Sequence, residues 1–228
     1  MISSTNSLPI QVLFFHRMES GQQGIKSRFI SSHFISYIPS LQPWWFLSLV
    51  FWRAIFALIS FQPHVLVASS WGGFIAMFLQ QIGIWKRPTI LLAPAMSCLF
   101  QKRLYLPEEC QKNTIIVLGK HDKIVLASDY FNKIKNPLSS IVHLVNDNHS
   151  LNQSMIRDQG LLFMIQKLVN LQKENINTQI NLKPFHSCLL YQCSWLWCSC
   201  LFHLLLALLR EPLTWFYSLK RILNNRKI

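Results

Sequence analysis

The apolar positions of this chain alternate between short continuous runs and longer periodic stretches. QVLFF (Gln11–Phe15), HVLVAS (from His64), PTILLA (from Pro88), NTIIVLG (from Asn113) and SSIVHLV (from Ser139) are aliphatic runs bounded by Pro, Asn, Gly or Ser. Runs of that kind predict strands buried on both faces. Between them the spacing of apolar residues predicts helices over Lys26–Phe34, Trp44–Phe61, from Trp71 to Gln81, and over Asn152–Gln172, with a short extended ISYI closed by Pro39. Strands that alternate with helices in this way predict an α/β fold: a mostly parallel sheet with helices on both faces.

At 228 residues the chain is long enough for one substantial core. The alternating pattern occupies residues 10–172, the predicted α/β domain. Residues 173–187 are polar and Asn-rich and read as a linker, and 188–228 form an apolar and basic tail. Within the tail, CLLYQCSWLWCSCLFHLLLALL (Cys188–Leu209) carries no Asp, Glu, Lys or Arg and is followed by Arg210, Lys220, Arg221, Arg226 and Lys227. Its length meets the requirement of about 20 apolar residues for a membrane helix, so 188–209 is a candidate membrane segment, with an interfacial helix or an extension without function as the alternatives. Trp44–Phe61 is also apolar, but it lies between two strands of the predicted sheet, and a single crossing would put them on opposite sides of a bilayer. Its central Arg53 would add a charge at mid-bilayer depth. A buried helix, or an apolar flap over the site, is expected there.

Charge adds a second constraint. The chain has 22 Lys and Arg against 9 Asp and Glu, a formal net charge of +13, which favours anionic partners. The basic residues are scattered among Ile and Asn without the interleaved aromatics of a base-stacking platform, so no nucleic-acid partner is expected. Cys98, Cys110, Cys188, Cys193, Cys198 and Cys200 show neither zinc-ligand spacing nor a disulfide framework, which fits a reducing compartment. The start, MISSTNSLPIQ, lacks the basic and long apolar regions of a secretory signal. A cytoplasmic location is expected, with membrane association through 188–209.

The chemistry concentrates where the strand HVLVAS runs into Ser70-Trp71-Gly72-Gly73. A serine on a sharp strand-to-helix turn is pushed out of the backbone with its Oγ exposed, and small neighbours allow the turn. The pattern GxSxG is met by Ala68-x-Ser70-x-Gly72, and Gly72 stands at the right offset for Ser70 rather than Ser69. An activated serine needs a base, and the base needs a carboxylate to set its tautomer. NTIIVLG is followed by Lys120-His121-Asp122, and SSIVHLV by Asn146-Asp147-Asn148-His149, so Asp122 and His149 fall in loops after successive strands. In open α/β sheets such loops converge at one edge. Asp129 is the alternative acid, within or at the start of the next helix. His149 is preferred over His143, inside a strand, and over His121, beside the acid. His16 and Glu19 are expected to shape their loop, and Cys98 and Cys110 to be ordinary thiols.

From Ile10 to Gln172 the chain resembles the α/β-hydrolase superfamily, in particular a group of small serine hydrolases. VLFFHRMESGQQGIKSRF is similar to their HGxESGxxGxK loop, VASSWGG to their elbow, LLAPA to the following strand, GKHDKIV to the acid loop and NDNHSL to the histidine loop. The resemblance implies a Ser70, Asp122, His149 triad. It also implies an oxyanion hole from the Trp71 amide and an amide of the loop after His16, from Arg17 or Met18, with Met18 preferred. Arg17 stands where that pattern has Gly, which puts the geometry of the second donor in question.

The function these residues imply is hydrolysis of a small-molecule ester, hydrophobic in its acyl part, without metal or organic cofactor. The alternative is a catalytically degenerate, membrane-associated protein that keeps the fold.

Overall fold

A computed structural model describes residues 9–18, 21–42, 47–95, 104–131 and 141–176. The segment 188–209, with most of the predicted linker and the whole tail, lies outside them. In chain order the elements are β1 (Gln11–Phe15), α1 (Ile25–His33), β2 (Ile35–Tyr37), α2 (Leu47–Phe61), β3 (Val65–Ser69) and α3 (Trp71–Gln81). They continue with β4 (Thr89–Leu92), α4 (Glu108–Gln111), β5 (Thr114–Gly119), α5 (Ala127–Phe131), β6 (Ile141–Val145), a π-helical turn (Gln153–Arg157) and α6 (Gly160–Ile176).

The strands form one sheet in the order β2-β1-β3-β4-β5-β6, every pairing parallel. Because all strands run the same way, every β-to-α loop opens at the same edge. The chain first steps outward from β1 to β2, then returns past β1 to β3 and continues in the other direction. The order therefore reverses between β1 and β3, and open α/β sheets bind ligands in the crevice at such a reversal.

The continuous apolar character of the strands follows from this architecture, since both faces are covered. Leu13 and Phe15 of β1 with Leu66 and Ala68 of β3 pack into one core under α2 and α3. Val12 and Phe14 with Val65 and Val67 fill a second core under α1 and α6. Successive residues on a strand point to opposite faces, so this division follows the period of two.

The apolar stretch that ends at Phe61 is one of the sheet-covering helices. Val50, Ala54, Ala57 and Leu58 of α2 are buried, and Phe51 packs on Phe78 and Phe74 of α3 with ring centroids 4.6 and 6.3 Å apart. Arg53, the residue unsuited to a membrane interior, donates to the carbonyls of Ser40 and Gln42. Trp52, Phe56 and Ile59 are left exposed on the other side. Among the described residues, no helix is long and apolar enough to cross a membrane.

One predicted helix differs. The stretch read as continuous over Asn152–Gln172 is a π-helical turn, then a break at Gln159 (φ +55°), then α6, which runs on to Ile176. The break lets Met155 and Leu161 both enter the second core, which one straight helix would not allow.

Two adjacent glycines draw α3 onto the sheet. A Cβ at Gly72 would lie 2.2 Å from the Phe15 carbonyl oxygen, and one at Gly73 2.8 Å from Pro94 Cα. Both neighbours are backbone and have little freedom to yield. Gly72→Ala is therefore expected to cost about 3 kcal/mol or more, at or above the usual overpacking range. Urea unfolding checks this, with Gly83→Ala as the comparison: Gly83 (φ +78°) has no backbone neighbour close to its Cβ position, so only the conformational cost of about 1 kcal/mol is expected there.

Candidate active site

Ser70 is the first residue after β3 and sits at φ +52°, ψ −111°. Backbone angles in that region cost a non-glycine residue on the order of 1–3 kcal/mol and persist only where the surroundings enforce them. Here three backbone hydrogen bonds do so. The Ser70 amide donates to the Leu92 carbonyl at 2.8 Å, and the Ser70 carbonyl accepts from Phe74 at 3.1 Å and from Ala95 at 3.0 Å. The turn is thereby tied to the end of β4 as well as to α3. The half-turn also separates the two serines: Ser69 ends the strand and is buried, whereas Ser70 is partly exposed.

The three residues predicted to act together do meet. Ser70 Oγ lies 2.9 Å from His149 Nε2, and His149 Nδ1 lies 2.7 Å from Asp122 Oδ2. They come from loops after β3, β6 and β5, and 79 residues separate Ser70 from His149. The Asp122 carboxylate is enclosed, and its other oxygen accepts from the amides of Ile124 and Val125, each at 2.8 Å. Burial pushes this carboxyl up. The hydrogen bond from His149, the amides of Val125 and Ile124, and attraction to the imidazole outweigh it and hold the group below its ordinary value. A carboxylate kept ionised beside Nδ1 holds the proton on that nitrogen and leaves Nε2 free to accept from Ser70.

The two loops that carry the acid and the histidine are joined through their backbones. Lys120 N–H donates to Val145 at 2.8 Å and His121 N–H to Asp147 at 3.0 Å. A Cβ at Gly119 would lie 2.6 Å from the Asp147 carbonyl oxygen, so the close approach requires glycine. The histidine loop is braced from within by Asp147, which accepts from the amides of Asn148 (2.8 Å) and Ser154 (2.9 Å), and by Asn148, which accepts from the Ser150 amide (2.9 Å).

Of the other residues weighed from the sequence, His121 is exposed and bonded to Asn146, and His143 lies within β6. Asp129 lies in α5. Cys110 is buried with its thiol toward the Trp85 carbonyl, and burial with the Glu109 charge pushes it up to about 11, far from a reactive thiolate. Glu19 and Cys98 lie outside the described residues. Trp71 opens α3, where first-turn amides have no partner within the helix. Met18 stands in the turn after β1, at the reversal point of the sheet.

His16 has a definite structural task. Its Nδ1 lies 2.7 Å from the Arg17 carbonyl oxygen and its Nε2 accepts from the Leu41 amide at 3.4 Å, a pattern met by neutral imidazole protonated at Nδ1. Burial lowers its pKa and the carbonyls of Arg17 and Pro39 oppose that. In a trans peptide the carbonyl and the next N–H point to opposite sides. Holding the Arg17 oxygen against the buried His16 ring therefore turns the Met18 N–H away from it.

Lys26 has a task that no local feature of the sequence reveals. Its ammonium donates to the Ser150 carbonyl, 124 residues away, and so ties α1 to the residue after His149. The only local signal was a lysine in the first turn of a helix, where a cation opposes the helix dipole.

A parallel sheet with a strained serine between β3 and α3, an acid after β5 and a histidine after β6 is the α/β-hydrolase fold. Comparison with solved structures agrees. The chain superposes on a protein from Xanthomonas campestris pv. campestris assigned as a hydrolase of the α/β superfamily, with TM-score 0.53, 18% identity, and 72% of this chain and 97% of that one covered. It also superposes on an α/β serine hydrolase without a lid from Xanthomonas campestris, with TM-score 0.51, 12% identity, and 72% and 82% covered. No protein-family model and no curated protein matches the sequence.

Lys26 also gives the site region a pH signature. Burial and the Arg17 charge push its ammonium down to about 8, against an opposing pull from Asp147. Between about pH 8 and the unfolded value of 10.5 the unfolded chain binds more protons than the folded one, so stability from this residue rises with pH across that window. The unfolding free energy of the native chain is expected to climb relative to Lys26→Met from pH 8 to 10.5 and to run parallel below it, as measured by denaturant titration at each pH.

Proposed function

We propose that this chain is a serine hydrolase of carboxylic esters. The observation that carries the reading is the continuous relay from Ser70 Oγ through His149 to the enclosed Asp122 carboxylate, 2.9 and 2.7 Å in its two steps, with the serine held at φ +52°. Chance contact between polar side chains would not account for a strained backbone braced on both sides.

In the proposed reaction Ser70 Oγ attacks the ester carbonyl carbon while its proton passes to His149 Nε2. Asp122 stabilises the imidazolium that forms. The carbonyl oxygen becomes an oxyanion facing the Trp71 and Met18 amides, the second aimed by the His16 bond to the Arg17 carbonyl. Collapse of the tetrahedral intermediate expels the alcohol, which takes the proton from His149, and the acyl group stays on Ser70. Water then repeats the sequence, giving its proton to His149; collapse of the second intermediate breaks the bond to Ser70 Oγ, which takes that proton back from His149 as the acid leaves. No cofactor enters the scheme. The substrate is a small ester with an apolar acyl part, and 188–209 would associate the enzyme with a membrane.

The test is labelling of the full chain with a fluorophosphonate probe, which reacts only with an activated serine. Labelling is expected for the native chain and none for Ser70→Ala or His149→Ala, with circular dichroism confirming that each variant is folded. Asp122→Asn should keep the fold and lower kcat by about 10⁴-fold through the wrong imidazole tautomer. A folded native chain that takes no label would sink the proposal. His16→Ala should lower kcat by on the order of 10²-fold with little change in KM, as when one oxyanion donor is misplaced. An unchanged kcat would remove the Met18 amide from the oxyanion hole.

A further inference from the structure

Behind the elbow, on the face covered by α1, lies a cavity of about 230 Å³ bordered by Arg17, Gly24, Lys26, Ser27, Arg28 and Ser69. We propose that it is a binding site for a compact oxyanion, a phosphate or a carboxylate, held by Arg17, Lys26, the Ser69 hydroxyl and the first amides of α1.

Four observations meet there. Helix α1 has nine residues, its N-cap is Gly24 with no side-chain cap, and its first turn has no acidic residue, so its leading amides and the positive end of its dipole are uncompensated. Second, Lys26 is only 8% exposed and its ammonium spends one donor on the Ser150 carbonyl, which leaves two for a ligand. Arg17 borders the same space and repels Lys26 strongly enough to help depress its pKa. Third, Ser69 is 3% exposed, and its hydroxyl has no hydrogen-bond partner among the described residues. Its register with Val65 and Val67 sends it to the α1 face, away from the relay. The fourth concerns Asp147, an anion among the described residues that acts on Lys26. Asp147 attracts Lys26, but both its oxygens are engaged by the amides of Asn148 and Ser154. Two neighbouring cations, the Ser69 hydroxyl and the first amides of α1 border one space, and one bound oxyanion would accept from all of them.

The cavity adjoins the reacting serine through the chain, since Ser69 precedes Ser70 and Arg17 precedes Met18. The oxyanion has two sources, the charged end of an ester substrate or a free ion. Only the distinction between these sources rests on the hydrolase reading.

The test is isothermal calorimetry of the full chain with inorganic phosphate at low ionic strength. Saturable one-site binding is expected for the native chain, weakened about tenfold in Arg17→Gln and severalfold in Ser69→Ala, the range for loss of a charged and a neutral hydrogen bond. Absence of saturable binding to the native chain, or equal affinity in both variants, would overturn the proposal. Because calorimetry needs no turnover, it stands even if the serine takes no label. Sources are separated with p-nitrophenyl hemisuccinate and p-nitrophenyl butyrate. Competition by phosphate against the hemisuccinate alone assigns the pocket to a substrate carboxylate, and binding of phosphate alongside both esters assigns it to a free ion.

Discussion

The arrangement of the site depends on how closely α3 is drawn onto the ends of β1 and β4. Gly72 and Gly73 remove the two methylene groups that would otherwise strike the Phe15 carbonyl and Pro94. The approach they allow forces Ser70 out of the ordinary backbone region, and the bonds to Leu92, Phe74 and Ala95 hold it there. Backbone strain at one residue is thus sustained by packing and hydrogen bonding of its neighbours, which is how strain is retained at functional sites. A looser helix would let the turn relax, and the serine would lose its fixed place opposite His149.

The same economy of backbone contact recurs one step away. The acid and histidine loops follow adjacent strands, and because the sheet is parallel both leave it at the same edge. Gly119 lets the second loop settle on the end of β5, and the amide bonds from Lys120 and His121 zip the two together. Asp122 is then enclosed with its lone pairs shared between His149 and two amides. The imidazole is positioned by backbone that has few alternatives, so the relay needs little further ordering.

Charge is distributed unevenly around this frame. The carboxylate of the relay is stabilised by amides and imidazole, whereas Lys26 and Arg17, on the α1 side of the sheet, destabilise one another. That contrast separates a part of the molecule whose electrostatics are satisfied internally from one where two cations border a cavity. Arg17 takes part in both, since its carbonyl is held by His16 and the residue borders the cavity. An arginine in this loop is therefore compatible with an ordered turn, because His16 supplies the restraint on the peptide that follows it.

The sequence by itself determined the elements and the chemistry carried along the chain. Strands read as apolar runs because both faces of a parallel sheet are covered, and the serine, acid and histidine were legible because each stands directly after such a run. The break at Gln159 was not read from the sequence, although Gly160 beside it is a local signal: a Cβ there would lie 2.6 Å from the Ser154 carbonyl oxygen, and the break lets Met155 and Leu161 share one core. Periodicity assigns residues to faces but carries no information about which strand lies beside which. The reversal between β1 and β3, the contact of Lys26 with a carbonyl 124 residues away, and the role of His16 in setting a peptide all arise from strand order and register. Those were decided only by the tertiary structure, because they depend on distances between segments that the chain brings together after its local structure has formed.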